Sequence, residues 1–73
     1  MNLHDVADLD REEWERLIVS HIFNERDRAI LRRRLFDGIP IERLAEEFDI
    51  SVSQTKRILN KSQDKLFRKL NRK

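Results

Sequence analysis

Ile41-Glu42-Arg43-Leu44-Ala45-Glu46-Glu47-Phe48-Asp49-Ile50-Ser51-Val52-Ser53-Gln54-Thr55-Lys56-Arg57-Ile58 is the stretch on which the reading of this 73-residue chain turns. Pro40 stands where a first-turn proline is tolerated, so a short helix opens at Ile39–Pro40 and carries Ile41, Leu44, Ala45 and Phe48 at helical spacing. Asp49, Ile50 and Ser51 then break the period. Ser51 with Gln54 three residues later is a capping-box signature, so a second, long helix starts near Ser51 and reaches about Leu70. Two helices joined by a three-residue turn make a helix-turn-helix. Ala45 supplies the small side chain where two steeply crossing helices approach, and Leu44, Phe48, Ile50 and Ile58 fill the angle between them. Val52, Ser53, Gln54, Lys56 and Arg57 are left pointing outward from the first turns of the second helix. In this motif those turns enter the major groove of DNA, where Arg suits guanine and Gln suits adenine.

Working upstream, Gly38 is placed to end a helix over 25–37 in the left-handed conformation, with Asn24 as its N-cap and Ile30, Leu31, Leu35 and Phe36 as apolar positions. Asp10 with Glu13 opens a first helix whose stripe is Trp14, Leu17, Ile18 and Ile22. Residues 1–9 have no period and read as a flexible arm, leaving 10–73 as a single domain. Downstream, Ile58, Leu59, Leu66, Phe67 and Leu70 keep helical spacing, but Ser62 and Asp64 interrupt it, so the far end of the last helix is expected to protrude. The fold class is therefore all-α: a small four-helix domain with a helix-turn-helix and a long C-terminal recognition helix.

Composition narrows the function. With no Cys there is neither a disulfide framework nor a thiolate metal site, which fits a reducing cytoplasm. Charged residues make up 41% of the chain, and no apolar run approaches the roughly 20 residues of a membrane span, so no membrane role is expected. The net charge of +2 hides a division: residues 1–55 carry 8 basic and 13 acidic side chains, whereas residues 56–73 carry 8 basic side chains against Asp64 alone. A basic C-terminal third is suited to a polyanion, because neutralising phosphates releases their counterions.

The other conspicuous residues read as structural. His4 and His21 lack partners at metal-ligand spacing, and no nucleophile–base pair or phosphate-cradling glycine loop is present, so no metal, cofactor or enzymatic activity is expected. Glu12, Glu13, Glu46 and Glu47 read as members of solvated i,i+4 charge pairs. Arg26 or Arg28 is expected to pair with Glu25, Asp27 or the acidic third helix. Arg32-Arg33-Arg34 point in three directions, so one or two of them at most share a phosphate-facing surface. Trp14 reads as a core anchor, and the pattern shows no exposed aromatic on a basic face of the kind that stacks on single strands.

The stretch Asn24-Glu25-Arg26-Asp27-Arg28-Ala29-Ile30-Leu31, together with Ile41 to Phe48 and Ile50 to Leu66, resembles region 4 of sigma-70-type transcription initiation factors over roughly residues 24–70, with Lys61 and Lys65-Leu66 in the family's basic ending. The resemblance implies a bacterial or phage protein that binds double-stranded DNA through Val52, Ser53, Gln54, Lys56 and Arg57, with Ser51 near the backbone and Lys61 added on the same helix. It also implies that the second and third helices cradle the flap of the RNA polymerase β subunit. The chain departs from the family in four ways: it has no region 2 helices, it has Val52-Ser53 where an Arg-Glu pair is usual, it has Asp49 in place of the turn Gly, and it has Thr55 at an inner-face position usually filled by Val or Ile. Its base preference is therefore expected to differ from a standard −35 element. LuxR-type effector domains share a similar motif. Two readings follow: a small transcriptional or mobile-element regulator that binds duplex DNA, and an interaction module that binds RNA polymerase or forms a homodimer through Leu59, Leu66, Phe67 and Leu70.

Overall fold

A computed structural model describes residues 9–70 as four helices: α1 (Arg11–His21), α2 (Glu25–Asp37), α3 (Ile41–Glu47) and α4 (Val52–Leu70). No strand occurs among the described residues. Of the expected arm, only Leu9 falls within them, and it packs partly buried against the core.

Each helix start and stop has a local cause. Asp10 and Glu13 form a reciprocal capping box, the Glu13 N–H donating to Asp10 Oδ1 at 2.9 Å and the Asp10 N–H to Glu13 Oε1 at 3.4 Å. At α2 the Asn24 side chain accepts from the Asp27 N–H at 3.2 Å, and Gly38 ends the helix with φ 64° and ψ 29°. Pro40 proves to be the N-cap of α3, so that helix starts at Ile41, and the Pro40 carbonyl accepts from the N–H groups of Arg43 and Leu44. The turn after α3 is a Schellman motif with an unusual residue at its pivot. Asp49 takes φ 55°, the Ile50 N–H reaches back to the Ala45 carbonyl at 3.0 Å, and the Asp49 N–H reaches Glu46 at 3.3 Å.

The apolar stripes meet in one core of Trp14, Ile18, Ile22, Ile30, Leu31, Leu35, Leu44, Ile58, Leu59 and Leu66. Its geometry corrects the expectation of a protruding C-terminal end. Ser62 is buried at 4% exposure rather than marking a gap, Leu66 is fully buried, and Phe67 and Leu70 pack against the same cluster. A small hydroxymethyl on the inward stripe of α4 sits where the linker from α1 to α2 passes, beside Ile22, Phe23 and Asn24. The apolar face expected to serve self-association is thus spent within the chain.

Candidate nucleic-acid interface

The site begins with what holds the start of α4. Ser51 Oγ accepts from the Gln54 N–H at 3.0 Å, and the Ser51 carbonyl accepts from both the Thr55 N–H at 3.0 Å and Thr55 Oγ1 at 2.9 Å. Thr55 is completely buried, so its hydroxyl makes the hydrogen bond that lets a polar residue sit on the inner face. With Thr55, Ile58, Leu59, Ser62 and Leu66 turned inward, a rotation of about 100° per residue fixes which side chains face solvent.

Ser51, Val52, Ser53, Gln54, Lys56, Arg57 and Lys61 are all exposed. Ser53, Lys56, Arg57 and Lys61 come together around a shallow depression of about 740 Å³ along the outer face of α4. Ser51, Val52 and Gln54 do not border it; they occupy the first turn, beside the α3–α4 turn. Sequence reasoning missed Asn60, which borders the same depression between Arg57 and Lys61. Its spacing of four residues from Lys56 and three from Arg57 was the available signal, and an amide suits adenine as Gln does. Asp64 closes the far end, held by Arg68 at 3.1 Å.

The arginines of α2 are engaged inside the domain. Arg32 pairs with Glu15 of α1. Arg33 binds Glu47 of α3 through two nitrogens at 2.9 and 3.0 Å and Asp37 at 2.9 Å. Those side-chain hydrogen bonds, Glu47 first and Asp37 second, raise the Arg33 guanidinium above its already high value. Arg34 donates to the Ile39 carbonyl at 3.0 Å. Arg26 pairs with Asp27 at 3.5 Å, whereas Arg28 finds no carboxylate and donates instead to the α1-terminal carbonyls of Val19, at 2.9 Å, and Ile22. Two expectations change accordingly. Arg32 and Arg33 are paired with carboxylates of neighbouring elements, leaving Arg34 as the one of the triplet without an acidic partner among the described residues, and Glu47 is an interhelical partner rather than half of an i,i+4 pair. Trp14 is 1% exposed, in the core as expected.

α4 thus presents Lys56, Arg57, Lys61, Lys65, Arg68 and Lys69 on a helix about 28 Å long, a convex basic rod rather than an enclosed pocket. Among the described residues no group of three or more His, Cys, Asp and Glu is placed to hold a metal ion, and no helix is long and apolar enough to cross a membrane. A convex basic helix suits a groove in a polyanion. Neither a curated protein nor a solved structure matches the chain. The family model for sigma-70, region 4, a non-enzymatic DNA-binding helix-turn-helix, matches residues 21–68, from the end of α1 to the last turn of α4. With its helix-turn-helix geometry and with well over half of its length matched, the chain belongs to the sigma-70 region 4 family of DNA-binding domains.

Proposed function

We propose that the chain binds duplex DNA sequence-specifically as a small transcriptional or mobile-element regulator in the cytoplasm, with α4 inserted in the major groove from about Ser51. The observation that carries this reading is the outer face of α4. There Ser53, Lys56, Arg57, Asn60 and Lys61 share one exposed surface, immediately after a helix start tied down at Ser51 and Thr55. Arg57, Asn60 and Gln54 carry the donors and acceptors that distinguish base edges, while Lys56 and Lys61 supply point charges for phosphates. Val52, 37% exposed, is an apolar side chain of the kind that contacts a thymine methyl.

The test is fluorescence anisotropy with a random duplex at several salt concentrations, comparing the native chain with the Gln54/Lys56/Arg57 triple-alanine variant. Each neutralised phosphate contributes about −0.9 to the log–log slope. Salt-dependent binding that collapses in the variant supports the reading. A folded native chain that binds no duplex at low salt refutes it.

A second reading, docking on RNA polymerase, draws on the α2–α3 junction, where Phe36, Ile39, Ile41 and Phe48 are only partly buried and offer apolar surface to a partner. Pull-down with the isolated β flap, with and without Phe36→Asp, separates this reading from DNA binding.

A further inference from the structure

The segment between α1 and α2 is extended, with φ −113° and ψ 109° at Ile22 and φ −78° and ψ 123° at Asn24. Successive side chains of extended backbone point to opposite sides. Ile22 enters the core at 3% exposure, which turns Phe23 outward, and Phe23 is 78% exposed, the most exposed of the large apolar residues described. The linker and its outward ring lie beside the flank of α4, and Phe23, Asn24, Asp27, Lys61 and Lys65 border a depression of about 230 Å³ between them. Among the described residues neither Lys61 nor Lys65 has an acidic partner, whereas Asp27 is engaged by Arg26 at 3.5 Å. Lys65 also borders a second depression, of about 300 Å³, with His21, Arg68 and Lys69. Cations therefore continue along α4 beyond the ring.

We propose that this flank is a second nucleic-acid site, for a single strand, in which a base stacks on Phe23 while Lys61 and Lys65 hold the adjoining phosphates. A duplex hides the faces of its bases, so only an unpaired strand offers a face to the ring. The polar surroundings of Phe23 favour this ligand over an apolar protein segment. An aromatic that anchors a protein interface is ringed by other apolar side chains, whereas the depression that Phe23 borders is lined by Asn24, Asp27, Lys61, Ser62 and Lys65, with Ile22 the one other apolar residue. The site is also separate from the duplex face. Arg57 and Lys56 border the outer depression and not the flank, Phe23 and Lys65 the flank and not the outer depression, and Lys61 borders both. The chain therefore has surfaces for paired and for unpaired nucleic acid side by side along one helix. This departs from the sequence pattern, which shows helical stripes clearly but does not reveal which way a linker side chain points.

Anisotropy with labelled oligo-dT and oligo-rU of about a dozen nucleotides, beside a duplex, tests the assignment for the native chain and for Phe23→Ala, Phe23→Leu, Phe23→Trp, Lys65→Ala and Arg57→Ala. A stacked base contributes about 1–3 kcal/mol, so Phe23→Ala and Phe23→Leu should weaken single-strand binding roughly 5- to 150-fold and leave duplex binding unchanged, with Phe23→Trp retaining it. Leucine keeps the apolar area but removes the ring face, and an exposed position leaves the helical circular dichroism intact in every Phe23 variant. Arg57→Ala should show the reverse pattern, so failure of the duplex arm is read independently. Tighter binding of oligo-rU assigns RNA and tighter binding of oligo-dT assigns DNA. The proposal is overturned if the folded chain binds neither oligonucleotide at low salt, if Phe23→Leu binds as well as the native chain, or if a poly-glutamate peptide competes as effectively as the strands.

Discussion

Leu66→Ala asks whether the second half of α4 belongs to the core or extends beyond it. Leu66 is fully buried in the cluster that includes Trp14 and Ile18, four residues past the buried Ser62. Removing a buried leucine side chain costs about 2–5 kcal/mol, from lost transfer free energy and the cavity left behind. A 73-residue domain has about 4–11 kcal/mol of stability in all, so the change removes a large fraction of it. Each kcal/mol lowers the midpoint of a domain this size by about 4–8 °C, so a loss near 3 kcal/mol should lower Tm by roughly 12–24 °C. Urea unfolding followed by the emission of Trp14, the single tryptophan, reads the same cluster directly. Lys65→Ala, one residue away and exposed, is the control and should stay within about 0.5 kcal/mol of the native chain. If Leu66→Ala behaves like that control, α1 does not pack on the distal part of α4, and the apolar face of the helix becomes free to bind a second copy.

The backbone offers two further tests. Gly38→Ala should cost about 1 kcal/mol by denaturant titration, because φ 64° strains an L residue although a Cβ there meets nothing within 4 Å. Asp49→Gly should gain about 0.5 kcal/mol by relieving the same conformation at φ 55°. Arg28→Gln should lower stability by about 1 kcal/mol, read by urea titration, as the α1-terminal carbonyls lose a charged donor. Because Arg33 is held above its usual value in the folded chain, its contribution is fully present below the already strongly alkaline unfolded value and is lost only as pH rises through the folded one; the stability difference between native and Arg33→Gln should therefore stay constant through neutral and mildly alkaline pH. Arg57→Ala should relax base preference at one position by about 1–3 kcal/mol in site selection, whereas Lys69→Ala should weaken binding evenly and flatten its salt dependence.

Helix placement was legible in the sequence because it rests on short-range chemistry: Asp10 with Glu13, Asn24, Gly38 and Ser51 each act within a turn of themselves, and the helix bounds follow from them. The outward set on α4 was legible for the same reason, since once Thr55 and Ile58 face in, the period places Lys56 and Arg57 outside. What failed to show depends on contacts across the chain. Ser62 looked like an interruption because a polar residue on an apolar stripe can be read only once the neighbouring helix is known. Glu47 was assigned to a local pair because its actual partner, Arg33, lies 14 residues away on another helix. Phe23 lies in a linker, where no helical period reports direction.

The ion pairs of Arg32 and Arg33 inside the domain also bear on how the chain meets its target. With Arg32 and Arg33 compensated by Glu15, Glu47 and Asp37, the outward field comes chiefly from α4, with six basic residues and one acidic, and from the opposing carboxylates of α1 and α3. Such a molecule is turned as it diffuses. On the reading proposed above, the potential of a duplex rotates α4 forward before contact and turns away encounters that lead with α1 or α3, so orientation is largely chosen during approach. Association should then be fast at low salt and should slow steeply as ions shorten the range of that torque, while dissociation, governed by contacts already made, changes much less.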